Sequence, residues 1–204
     1  MTSVVELDRR PGSGANFARL VTEVLAPANL VIALLVLVAW HSAASTPARI
    51  AWGLSAAVFA GVLPLLYLLR GARRGRWKDH HVGERHKRPL VMLVILGSVL
   101  TGTALMVATG APRDLVAQLG AMVAGLLFTL AVTLTWKISV HAAVAAGTVV
   151  VLALVFGPVL NMLWVLAALV CWSRTALRDH TVAQVVAGSF AGGVVAFVVF
   201  QALR

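Results

Sequence analysis

Seven stretches of this chain are apolar over nearly their whole length: Leu25–Trp40, Ile50–Leu69, Leu90–Thr109, Leu115–Thr135, Ala142–Phe156, Val159–Trp172 and Thr181–Leu203. Nothing else limits the available folds as strongly. Several runs reach the ~20 residues that carry a helix through a bilayer core. Lipid offers no water to backbone N–H and C=O groups, so a spanning segment must pair them itself, and these runs read as helices. Composition agrees. The 204 residues are 60% hydrophobic and 12% charged, about half the charged share of a soluble domain. The expected fold is all-α: a polytopic integral membrane helix bundle of six or seven spans.

The breaks have physical causes. Ser45-Thr46-Pro47 and Gly110-Ala111-Pro112 combine turn formers with a proline that cannot continue a helix. Gly157-Pro158 interrupts the 31-residue run from Ala142 to Trp172. That run is too long for one comfortable span and short for two, which leaves the count between six and seven. The first 24 residues carry Glu6, Asp8, Arg9, Arg10, Arg19 and Glu23 and no leading apolar stretch. They read as a polar or amphipathic N-terminal segment rather than a cleavable signal. Residues 25–204 form a single transmembrane domain. The lone cysteine, Cys171, excludes an internal disulfide and most thiolate metal sites.

Net charge is +10, and eight of the 17 Lys/Arg residues fall between Arg70 and Arg88. With seven spans, the N-terminus, the Arg70–Pro89 loop, Lys137–His141 and Arg174–His180 share one side, which then holds 14 of the 17 cations. Cytoplasmic loops carry such an excess, so this side is expected to face the cytoplasm of a cell membrane. The charge also suits anionic lipid headgroups. Nucleic acid is not an expected partner, because no aromatic platform or basic helix accompanies the charge. Oligomeric state is left open.

Short polar clusters stand where apolar runs begin or end: His81 to Arg88-Pro89, Ser139-Val140-His141, and Ser173-Arg174 followed by His180. At one bilayer edge they supply what cleaving a phosphate ester requires. Arg88 and Arg174 present planar forks of donors to phosphoryl oxygens. Ser139, the Val140 amide and the start of the next helix add donors at a favourable dipole end. Two histidines remain for the roles of nucleophile and general acid. This chemistry calls for no metal or cofactor. Asp79, His80, Glu84 and Asp179 include metal-binding types, but in no recognised ligand spacing. His41, His86, Arg49 and Arg113 read as solvated or snorkelling interfacial residues.

The pattern resembles the type-2 phosphatidic acid phosphatase superfamily of membrane lipid phosphatases. The family's third motif is S-R-x5-H-x3-D, and Ser173-Arg174 with His180 match it, Gln184 standing at the final position. Its second motif is P-S-G-H; this chain reads Ile138-Ser139-Val140-His141. Its first is K-x6-R-P; Arg88-Pro89 match, with His81 at the lysine position. The resemblance implies that His180 attacks phosphorus and forms a phosphohistidine, while His141 protonates the leaving alcohol. It implies that Arg88, Arg174, Ser139 and the Val140 amide hold the phosphoryl oxygens. His81 would stand in for the lysine, and Gln184 would orient His180 through its side-chain carbonyl. Arg85 lies one helical turn before Arg88 and four residues after His81, so all three can share a face. Lys137 is a second candidate for the lysine's place in space.

The expected function is therefore hydrolysis of a membrane lipid phosphate or diphosphate: a polyprenyl phosphate, phosphatidic acid or phosphatidylglycerol phosphate. The alternative, favoured by His81 and Gln184, is a non-catalytic protein that binds lipid phosphate or serves as a scaffold. A transporter is disfavoured, because no charge falls deep within a run.

Overall fold

The computed structural model describes residues 13–77 and 85–204, and every regular element among them is helical. In chain order the α-helices are α1 (Ser13–Val24), α2 (Pro27–Ser42), α3 (Thr46–Ala57), α4 (Leu63–Arg73) and α5 (Arg88–Ala108), then α6 (Arg113–Thr135), α7 (Val140–Phe156), α8 (Trp164–Ala176) and α9 (Val182–Leu203). This is the all-α membrane bundle expected from the apolar runs. Leu54, Leu90, Val165 and Phe190 are each more than half exposed on its surface. So much outward apolar surface suits a hydrocarbon surround rather than water.

The helix boundaries fall where backbone chemistry requires them. Ser45 caps α3 by accepting the Ala48 amide at 3.4 Å, with Pro47 in the first turn. Pro112 stands at the N-cap of α6, after Gly110 with φ +78°. Gly157 has φ 110° and ψ 160°, a conformation open to glycine, and ends α7. Pro158 then starts the 3-10 turn Pro158–Leu163 that leads into α8. Pro27 opens α2 in the same manner, so α1 and α2 meet at a 41° bend.

α3 and α4 form one continuous 28-residue span, Thr46–Arg73, joined by the π turn Val58–Val62. Pro64 accounts for that turn. Its ring would collide with the Ala60 carbonyl of a regular α-helix, and a wider turn removes the clash. Five helical segments are long and apolar enough to span, and the bent α1–α2 pair makes six. That is the lower of the two expected counts. α7 has 17 residues and is shorter than the others. It is also the most enclosed helix, with Ala142, Ala146, Val149 and Val151 buried, so its length need not match the bilayer.

α9 packs against α7 at backbone distance. A Cβ on Gly192 would collide with the Ala143 backbone, and one on Gly188 would lie 2.5 Å from the Ser139 carbonyl oxygen. Small residues allow helices to approach this closely in lipid. A Gly192→Val protein is expected to lose about 1–3 kcal/mol through overpacking. Gly193→Ala, whose Cβ would sit at an ordinary 3.7 Å from Trp164, serves as control. Thermal unfolding in detergent compares the two, and equal melting temperatures would remove the close contact as a source of stability.

Candidate active site

The start of α5, the α6–α7 linker, the α8–α9 turn and the end of α1 converge at one end of the bundle. Arg88 opens α5, is buried, and donates from Nη1 to the Ile138 carbonyl at 3.3 Å. Ser139 is the N-cap of α7 and is wholly buried. Its hydroxyl accepts the Ala142 amide at 3.4 Å, and its own amide donates to the Gln184 carbonyl at 3.3 Å. Val140 and the buried His141 occupy the first two positions of α7. There the helix amides and dipole favour an anion.

α8 ends by a chain reversal that sets the third cluster. The Arg178 amide donates to Thr175 O at 2.9 Å, and the Asp179 amide returns to Arg174 O at 3.1 Å. This is a Schellman closure, with Arg178 at φ 57° in the position glycine usually takes. The His180 amide also donates to Arg174 O, at 3.2 Å. The turn thus holds the Arg174 and His180 backbones together. Arg174 is buried, with Nη2 2.9 Å from Asp179 Oδ2 and Nη1 donating to Thr22 Oγ1 at 3.4 Å. Thr22 in turn donates to Ser173 Oγ at 3.2 Å.

Gln184 serves two groups through one oxygen. Its Oε1 accepts the Thr181 amide at 3.1 Å, completing a capping box at the start of α9, and lies 3.0 Å from His180 Nδ1. A backbone N–H can only donate, so the atom it meets is the oxygen. His180 must then donate from Nδ1, which leaves the Nε2 lone pair available for chemistry. Burial first, then Arg88, with smaller contributions from Lys137 and Arg174, pulls His180 from the usual imidazole range down to about 4, against the opposing hydrogen bond to Gln184. The ring is neutral at pH 7.

Arg88, Ser139, Val140, His141, Arg174, His180 and Gln184 therefore gather as the sequence spacing suggests. His81 lies outside the described residues, as do Asp79, His80 and Glu84. The backbone of Arg85 begins the 3-10 turn Arg85–Lys87 beside Arg88, and its side chain lies outside what is described. Asp179 is an ion-pair partner of Arg174. Two participants were less legible. Lys137 Nζ donates to the Asp179 carbonyl at 2.7 Å. Thr22 arrives from the N-terminal segment, on the buried face that Ala18 and Val21 share with it. That helical spacing was the available signal.

The fold and these groups define a membrane protein with a buried, cation-lined histidine at one end of a helix bundle. Residues 135–204 match the family model of the PAP2 superfamily. Over that segment, which carries the second and third motifs, the chain is similar to the type-2 phosphatidic acid phosphatase superfamily. No curated protein and no solved structure matches the chain.

Replacing Gln184 by glutamate keeps the reach of the side chain and adds a negative charge beside Nδ1. The carboxylate favours imidazolium, so the His180 pKa is expected to rise from about 4 towards the ordinary imidazole range. Histidine-selective NMR titration of wild type and Gln184→Glu reads this directly. An unchanged midpoint would remove Gln184 as the partner of Nδ1.

Proposed function

We propose that the protein hydrolyses a membrane lipid phosphate or diphosphate through a phosphohistidine at His180. The observation that carries this reading is a neutral imidazole whose Nδ1 donates to Gln184, with Arg88, Lys137 and Arg174 as its cationic neighbours. His180 Nε2 attacks the terminal phosphorus in line, forming the N–P bond as the P–O bond to the lipid alcohol, or in a diphosphate to the lipid monophosphate, breaks. The leaving oxygen takes a proton from His141. Water then attacks the phosphohistidine, giving its proton to His141, and inorganic phosphate leaves with His180 restored. Arg88, Arg174, Ser139 and the Val140 amide stabilise the charge on the phosphoryl oxygens during both steps.

A cavity of about 200 Å³ supports a lipid substrate. Its lining is almost wholly apolar, with residues from α2, α4, α5, α6, α7 and α9. Val140, at the phosphate end, and Val151 both line it, a span of about 16 Å at 1.5 Å per residue. The cavity starts beside Val140 at the site's end of α7, and a lipid tail entering there would meet an almost wholly apolar lining. A non-catalytic lipid-phosphate binder is the second reading, and the amide of Gln184 in place of a carboxylate favours it. Such a loss can cost orders of magnitude in rate.

Phosphate release from a panel of polyprenyl phosphates, phosphatidic acids and phosphatidylglycerol phosphates, each with short and long tails, tests both parts. His180→Ala is expected to lose at least about 10³-fold in turnover. Gly125 lines the cavity, and a Cβ there meets nothing within 4 Å. Gly125→Leu is thus expected to slow long-tailed substrates more than short-tailed ones. Equal background release from wild type and His180→Ala would end the enzyme reading; a uniform effect of Gly125→Leu would end the tail assignment.

The excess of cations at the site's end of the bundle places it on the cytoplasmic face of a cell membrane in this reading. An Arg76→Cys, Cys171→Ser protein is expected to react with an impermeant thiol reagent in inverted vesicles and not in intact cells. Labelling from outside alone would reverse the orientation.

A further inference from the structure

We propose that Thr22 is a positioning residue of this site: the N-terminal helix α1 brings its hydroxyl to Arg174 and sets how the guanidinium is presented to a phosphoryl group. The proposal deepens the phosphatase reading and rests on it for the role of Arg174.

Thr22 shares the buried face of α1 with Ala18 and Val21 and is the one polar member of that face. It is 3% exposed. An apolar side chain would fill the same space, and a hydroxyl taken out of water is costly unless it is hydrogen-bonded. The Thr22 hydroxyl is bonded on both sides. Arg174 Nη1 donates to Oγ1 at 3.4 Å, and Oγ1 donates to Ser173 Oγ at 3.2 Å. Ser173 Oγ donates in turn to Val170 O at 2.8 Å. The direction of this relay is fixed, because a guanidinium can only donate and a carbonyl can only accept. Ser173 gives its one proton to Val170, so Thr22 gives its own to Ser173 and turns its lone pairs to Arg174. Asp179 Oδ2 lies 2.9 Å from Nη2 of the same guanidinium. Both terminal nitrogens are thus engaged, which restricts how the planar fork can turn.

The placement of α1 is itself built. Pro27 opens α2 and cannot donate to Glu23 O, the carbonyl four residues before it. Asn29 supplies a donor instead: its Nδ2 donates to Glu23 O at 2.9 Å and to Val24 O at 3.2 Å. The side-chain amide bridges the 41° corner between α1 and α2. Towards the other end of α1, Phe17 packs on Trp172 of α8 with ring centroids 5.7 Å apart. Thr22 lies between these two fixed points, one residue from the carbonyl that Asn29 holds. A shift at the corner therefore reaches the hydroxyl directly.

Titration calorimetry with inorganic phosphate, on the purified full chain in detergent, tests this. Thr22→Val keeps the shape of the side chain and is expected to bind phosphate about three- to tenfold more weakly, the scale of one lost hydrogen bond. Thr22→Ser should keep most of the affinity. Val21→Ala loosens the same face without touching the relay; its melting temperature should fall while the folded protein binds phosphate as wild type does. Wild-type affinity in Thr22→Val overturns the proposal, as does an equal loss in Thr22→Ser or in Val21→Ala. A wild type that binds no phosphate overturns it too.

Asn29→Leu tests the corner. Asn29 is exposed, and its loss should weaken phosphate binding in the wild-type background yet add nothing in Thr22→Val, since both act through one hydroxyl. Fully additive losses overturn the part given to the corner. Thr22-dependent phosphate binding without hydrolysis of any lipid phosphate would sink the phosphatase reading and leave Thr22 in place. Hydrolysis by the wild type with an unchanged kcat/KM in Thr22→Val would do the reverse.

Discussion

The approach of α9 to α7 at backbone distance governs everything else at this end of the bundle. Gly188 and Gly192 remove the side chains that would hold the helices apart. With the helices this close, the Ser139 amide reaches the Gln184 carbonyl. One hydrogen bond therefore ties the N-cap of α7, which carries His141, to the first turn of α9, which orients His180. In a bilayer core the contact derives from packing rather than from water exclusion, since lipid tails are as apolar as the helices. The proposed phosphate site is assembled from two helix starts and would need that rigidity, because small displacements of reacting groups cost rate.

The sequence was most informative where backbone chemistry punctuates apolar runs. Ser45-Thr46-Pro47, Gly110-Ala111-Pro112 and Gly157-Pro158 each mark an observed helix boundary. The spacing of Ser173-Arg174, His180 and Gln184 carried the third cluster because a helix end and a tight turn are local structures. The His180–Gln184 hydrogen bond follows from their four-residue separation at a helix start.

Contacts between segments distant in sequence were harder to see. Thr22 meets Ser173 across 151 residues, and Lys137 meets Asp179 across 42. No spacing rule links such pairs, since they depend on how whole helices pack. Thr22 lies in the N-terminal segment read as polar or amphipathic, and its hydroxyl accepts from Arg174. The number of spans was open for a related reason. Length alone cannot say how a 17-residue helix enclosed by its neighbours relates to a bilayer it barely meets.

The π turn at Val58–Val62 has a bearing beyond relieving Pro64. A π turn holds one residue more than the α-helical repeat requires, and each residue turns a helix by about 100°. The inserted residue therefore sets which side of α4 faces inward. With it, Pro64, Leu65 and Leu68 border the cavity. Taking one residue out of Val58–Val62 would straighten the hydrogen-bond ladder above and swing that wall towards lipid. The shape of the apolar cavity is in this sense a matter of helical phase, determined by an irregularity just ahead of the residues it orients.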